Sequence, residues 1–145
     1  MVLNDQTRQD FERALREAGL KLTPQRIAII GCLHDDRTHP NAQAIHERLA
    51  KSFPTMSVAT VYNTLSALTT IGRLRQLDMG GPTRFDPNTA AHDHAVCERC
   101  GSIRDVDVEH DPHAGDDGAP ELDDFEVSRV ERVYRGVCAS CRSAA

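Results

Sequence analysis

Residues 57–85 read SVATVYNTLSALTTIGRLRQLDMGGPTRF, and the change of period inside this stretch decides the fold of the first half. Ser57 can cap a helix whose apolar stripe is Val58, Val61, Leu65 and Leu68, with Ile71 close to it and Gly72 as the exit. Beyond Gly72 the period falls to two, with Leu74 and Leu77 set among Arg73, Arg75, Gln76 and Asp78. Met79-Gly80-Gly81-Pro82 supplies a turn, and Thr83-Arg84-Phe85 reads as the return strand.

Working upstream, the pattern stays helical. Asn41 can cap a helix with Ala42, Ile45 and Leu49 inward, and His39-Pro40 breaks the chain before it. Thr23-Pro24 gives a cap followed by proline at the first helical position, ahead of Ile27, Ile30 and Leu33. Phe11, Leu15 and Ala18 form the face of a first helix that Gly19 stops. Three or four helices followed by a two-stranded ribbon predict a winged helix-turn-helix over residues 1–85.

Downstream, Ala95-Val96 and Ile103–Val106 read as strands flanking Cys97-x2-Cys100. Glu109–Asp124 is acidic and rich in Gly and Pro, so it reads as a solvated loop. Phe125–Val137 is strand-like, with a slip between Val127 and Val130 that suggests a bulge, and leads into Cys138-x2-Cys141. The class is α+β: a winged-helix half over 1–85, a hinge at 86–91, and an α/β domain over 92–145 with a zinc site of four cysteines.

Charge separates the two halves. Residues 1–80 carry ten Lys/Arg against eight Asp/Glu, whereas residues 81–145 carry seven against fourteen, so any phosphate partner belongs to the first half. Only 4% of the chain is aromatic, so a core divided in two is thin and calls for a metal or a partner subunit. No apolar run reaches the roughly 18 residues of a membrane span. Met1–Asp10 is polar with both charge signs, unlike a signal peptide, and the expectation is a soluble cytoplasmic protein.

Each C-x2-C pair of Cys97, Cys100, Cys138 and Cys141 places two thiolates on one tight turn. Two such turns complete a closed tetrahedral site suited to structural Zn2+. The alternatives at this point are two redox pairs or a disulfide core. Cys32 sits on an apolar helix face and reads as a small core residue. A second group is built from nitrogen and oxygen alone: His92 and His94 share a face of an extended segment, with Asp86 before them, Asp105 after them and His39 far upstream. Donors of this kind suit Fe2+, Mn2+ or Zn2+. His110 and His113, in the acidic loop, read as solvated.

Leu22-Thr23-Pro24-Gln25-Arg26, then Ser57-Val58-Ala59-Thr60-Val61-Tyr62, then Arg84-Phe85-Asp86 follow one another in order. His92-x-His94-x2-Cys97-x2-Cys100-Gly101 and Tyr134-x-Gly136-x-Cys138-x2-Cys141 complete the series. The ordered set resembles the ferric uptake regulator family. The resemblance implies a homodimer, held by the 92–145 domain, that represses transcription by binding a palindromic double-stranded operator when a regulatory metal is present. It also implies that His39, Asp86, His92, His94 and Asp105 form one regulatory Fe2+ or Mn2+ site, which would fix the angle between the halves and thus the spacing of two recognition helices.

A helix of about 14 residues is roughly 21 Å long, enough to lie in a major groove. Its outward residues Ser57, Ala59, Thr60, Tyr62 and Asn63 are the DNA-contact candidates, Tyr62 foremost, with Lys21 and Arg26 as candidates for phosphate. Asp86 stands where iron-uptake regulators tend to carry Glu, and so resembles the peroxide-sensing branch. Ala91 and Val130 occupy places where the iron-sensing branch often has His. That peroxide-sensing branch implies oxidation of a ligand histidine, His39 or His92, by peroxide at bound Fe2+; the alternative is an iron- or manganese-responsive repressor.

Enzymatic readings fit less well. Nucleobase deaminases pair a C-x2-C with a His-x-Glu or Cys-x-Glu element and an open zinc, whereas here Asp93 fills the middle of H-x-H and four cysteines close the site. A thiol oxidoreductase would need one exposed C-x2-C.

Overall fold

The structure, a computed structural model, describes residues 4–107, 121–127 and 130–144. They fall into two compact units, Met1–Ala90 and Ala91–Ala145.

The first unit contains α1 (Asp5–Glu17), α2 (Pro24–Leu33), α3 (Ala42–Leu49), α4 (Val58–Thr70) and the ribbon β1 (Arg75–Leu77) and β2 (Arg84–Asp86). Each helix starts on a side-chain cap. Asn4, Thr23, Asn41 and Ser57 accept the backbone N–H three residues on, at 2.8, 3.3, 2.8 and 3.2 Å; each cap contributes about 1 kcal/mol. Helices α1 and α4 end in the same way. Gly19 (φ 72°) and Gly72 (φ 74°) take the left-handed conformation. Leu20 N–H then reaches Leu15 O at 2.9 Å, and Arg73 N–H reaches Leu68 O at 3.0 Å.

The core joins Phe11, Leu15, Ile30, Leu33, Ile45, Val61, Leu65 and Leu68 with Leu74 and Phe85 of the ribbon. Two assignments of face change. Ile29 is fully buried while Ile27 is only half-buried, and on α4 Thr64 is buried while Val58 is half-buried. Thr64 can go inside because its hydroxyl donates to Thr60 O at 2.8 Å, so burial leaves no polar group unpaired. Strands β1 and β2 pair antiparallel, with Arg75 opposite Asp86 and Leu77 opposite Arg84. Asp86, placed in the hinge on the sequence, is thus the last residue of the wing's return strand.

The second unit holds a three-stranded sheet in the order β4 (Ile103–Val106), β3 (Asp93–Cys97), β5 (Val133–Gly136), followed by the short helix α5 (Ala139–Ser143). β3 pairs antiparallel with β4 and parallel with β5. The strand expected over Phe125–Val137 is therefore shorter. Phe125 is 65% exposed and Val127 37% exposed, so their alternation has no buried face to serve. The bulge expected between Val127 and Val130 and most of the acidic loop, with His110 and His113, lie outside the described residues. Helix α5 had no sequence signal; its five residues are too few to show a helical period.

Candidate metal centres and nucleic-acid interface

The four expected cysteines converge. Cys97 ends β3, Cys100 lies on the turn after it, Cys138 caps α5 and Cys141 is on that helix. Their sulfurs all lie within 4.8 Å of one another, and Cys100 Sγ is 3.8 Å from Cys138 Sγ. A tetrahedral zinc with about 2.3 Å bonds spaces its sulfurs by about 3.8 Å. All four are free thiols in the structure.

Backbone amides prepare this site. The first cause of the low Cys97 pKa is the Cys138 N–H, whose nitrogen lies 3.4 Å from the sulfur, followed by the Cys100 N–H; together they bring the thiol down to about 6. Ser102, with its hydroxyl 3.2 Å from Cys100 Sγ, lowers that thiol too. Cys141 is pushed the other way, to about 12, first by its hydrogen bond with Cys138 and then by that with Cys100, both of which favour the protonated thiol, with the charge of Cys100 adding to them. The cluster fits structural zinc, whose charge reverses that preference.

The nitrogen and oxygen donors form two sets, one in each unit. In the second unit His94 on β3 stands directly opposite Asp105 on β4, and His92 just precedes the strand. His92 Nε2 is 3.0 Å from His94 Nε2 and 3.1 Å from Asp105 Oδ1, and His94 Nε2 is 3.5 Å from that oxygen. Both imidazoles are buried, at 6% and 2% exposure. An ion about 2.1 Å from each of two donors at right angles sets them about 3.0 Å apart, so the triad fits one face of a divalent ion. In the first unit His39 Nε2 lies 3.5 Å from Asp86 Oδ2, both side chains buried. The Asn88 N–H at 2.9 Å holds the other oxygen of Asp86. His/Asp donors of this kind fit a regulatory metal.

Between the two histidines, Asp93 is also buried (2% exposed). It accepts from Arg132 N–H and Tyr134 O–H, both at 3.4 Å, and so fastens β5 to β3. Sequence reasoning gave it no role. Its placement between two ligand-type histidines on a strand was the available signal, since it must face the other way.

The DNA-contact candidates sit on or beside α4, except for Lys21 ahead of α2 and Arg26 in its first turn. Tyr62 is 46% exposed, and its ring meets Phe85 of the wing edge-on at 6.5 Å between centroids. Ala59 and Asn63 are exposed; Ser57 and Thr60 are engaged in the helix cap, their hydroxyls 3.1 Å apart. Lys21 is exposed, while Arg26 donates to Lys21 O at 2.8 Å and so shapes the turn before α2.

A model of the ferric uptake regulator family matches residues 17–115. The peroxide-responsive repressor PerR of Staphylococcus aureus is 40% identical over 132 residues, covering 89% of this chain and 87% of that protein. Among solved structures, the ferric uptake regulator Fur of Helicobacter pylori matches in fold with a TM-score of 0.71 at 19% identity, over 92% of this chain and 90% of that one. PerR from Streptococcus pyogenes, a protein of peroxide sensing and gene regulation, matches with a TM-score of 0.51 at 31% identity, over 92% of each chain. A winged helix, a four-cysteine cluster and two His/Asp donor sets lie within this shared fold, and the chain belongs to the ferric uptake regulator family.

Proposed function

We propose that this chain is a cytoplasmic, homodimeric repressor that binds a palindromic operator when a regulatory metal is present, and that it senses peroxide through that metal. The observation that carries the reading is the His92–His94–Asp105 triad, with both imidazoles buried. It contains no thiolate, stands apart in chemistry from the closed cysteine site of the same unit, and offers three donors at ligand spacing. The family resemblance implies that the His39–Asp86 pair and the triad would serve one Fe2+ or Mn2+ ion. When bound, Fe2+ would supply the electron that reduces peroxide beside a ligand imidazole, and the resemblance to the peroxide-sensing branch marks His39 or His92 as the residue to be oxidised.

The chain's own residues do the rest. Asp86 and His39 tie the winged-helix unit into the metal's demands, and the triad does the same for the dimerisation unit. Ligation therefore favours one spacing of the two recognition helices. Metal and operator favour the same conformer, and each tightens the binding of the other. Helix α4, 13 residues and so about 20 Å long, presents Tyr62, Ala59 and Asn63 to the major groove.

The test starts from a random duplex pool, because the operator is defined by the protein. Mn2+-loaded dimer is expected to enrich a palindromic sequence, and chelation of the regulatory metal to release it. Enrichment of no sequence, or equal binding after chelation, would refute the reading. On the selected operator, Tyr62→Ala is expected to weaken binding by about 1–3 kcal/mol, roughly 5- to 150-fold, with Mn2+ affinity unchanged. Unaltered operator affinity in a titration by fluorescence anisotropy would remove Tyr62 from the interface.

A further inference from the structure

His39 holds an improbable backbone. Its φ is 54°, in the left-handed region, although it is not glycine and a proline follows it. Asp35, four residues earlier, is also left-handed at φ 58°. A short loop with two such residues keeps its shape only if its surroundings hold it there.

Two clamps do so. The first is internal to the helical part of the unit. The carboxylate of Asp36 accepts from Thr38 N–H at 2.7 Å and Thr38 O–H at 2.6 Å, and from Arg48 of α3 at 2.5 Å. The second comes from the wing. Arg84 of β2 donates from Nε to the carbonyl of His39 itself and from Nη2 to the carbonyl of Thr38 at 2.9 Å. The next residue on that strand, Phe85, donates its N–H to Pro40 O at 3.0 Å, and Asn41 bridges to Arg84. The residue after that is Asp86, whose Oδ2 faces His39 Nε2 at 3.5 Å.

One three-residue strand therefore carries the acidic partner of His39 and grips the backbone of His39 from both sides. We propose that Arg84 is a positioning residue of the regulatory site, presetting the geometry of the His39–Asp86 pair before metal arrives. A guanidinium suits this work because its planar fork spans two neighbouring carbonyls with fixed spacing, which a lysine ammonium cannot do. The inference rests on the reading of His39 and Asp86 as ligands of the regulatory metal.

The experiment measures Mn2+ affinity of the zinc-loaded full-length protein by the electron paramagnetic resonance of free Mn2+. It also measures hydrogen exchange at the Phe85 amide in protein without Mn2+. Arg84→Ala and Arg84→Lys are compared with wild type and with His39→Ala. Outer partners of metal ligands change affinity about 10- to 100-fold. Arg84→Ala is expected to weaken Mn2+ binding by that factor and to speed exchange at Phe85, with the thermal midpoint of the winged-helix unit held. Arg84→Lys is expected to recover part of the affinity and serves alone if Arg84→Ala does not fold. If His39→Ala loses Mn2+ while both Arg84 variants bind within twofold of wild type, the positioning role is wrong and the ligand reading stands. If His39→Ala itself binds within twofold, the ligand reading falls and takes the inference with it.

Discussion

Cys138→Ser is expected to cost the second unit its zinc and its fold together. Among the described residues of that unit only Val96, Cys97 and Ile103 are buried hydrophobics, and β5 is exposed along its whole length. Such a core is too small to offset the entropy of ordering the strands. Structural zinc contributes on the order of 10–16 kcal/mol in small peptides, as much as the net stability of many whole domains. Zinc held by the four cysteines would tie the end of β3 to the start of α5, and so hold β5 in register. In the variant, native mass spectrometry should show no tightly held zinc. The amides of Cys97 and Glu98, now bonded to Ser102 O and Gly136 O at 2.9 and 2.8 Å, should exchange freely while those of α2 and α4 stay protected. Protected β3 amides in the zinc-free variant would show that packing, not metal, holds the sheet. Cys32→Ser is the control, and should keep its zinc: Cys32 lies on α2, where burial raises its pKa.

The same cluster has a proton signature. Cys97, held near 6 by backbone N–H groups, is already a thiolate at neutral pH, whereas Cys141 is held near 12 by its sulfur neighbours. Zinc return at pH 7 should therefore release protons, Cys141's among them, and calorimetry in buffers of different ionisation enthalpy reads that release. The direction with acid follows. As pH falls through about 6, metal-free Cys97 takes up a proton as well, so zinc must displace one proton more and its affinity falls more steeply with acid below that value.

Much of this was legible in the sequence because its signals are local. Caps at Thr23, Asn41 and Ser57 and stops at Gly19 and Gly72 are written within a few residues of the helix ends they set. The H-x-H and C-x2-C spacings likewise put donors on one face or one turn. What the sequence concealed depends on distant partners. Arg84 resembles any wing cation until the loop carrying His39 is seen against β2. Thr64 and Ile29 changed sides because the helices are covered on more than one face, which a single stripe does not encode. Phe125–Val127 has strand composition, but strand formation needs a neighbour with free ladder positions, and β5 takes up β3's second edge only from Val133.

Loaded with Fe2+ without oxygen, the dimer is expected to bind its operator tightly, and one equivalent of peroxide to abolish that binding; the Mn2+ form should keep it. The triad packs His92 Nε2 within 3.1 Å of two other donors, beside a second buried imidazole, so an oxidant formed at a bound Fe2+ would meet imidazole before solvent. Oxidation adds one oxygen to a ligand ring and removes its basic nitrogen from service. If losing one of five donors weakens the site by two orders of magnitude or more, about 3 kcal/mol, the linked operator affinity falls with it. Peptide mass spectrometry on the same samples should find the added oxygen on the His39 or His92 peptide, in the Fe2+ arm alone. Mn2+ leaves the rings intact because it does not readily give up the electron that peroxide requires. A protein that keeps both its operator and its unmodified histidines in the Fe2+ arm would be a repressor responding to metal supply. The Asp at position 86 would then tune the affinity of the site without selecting its chemistry.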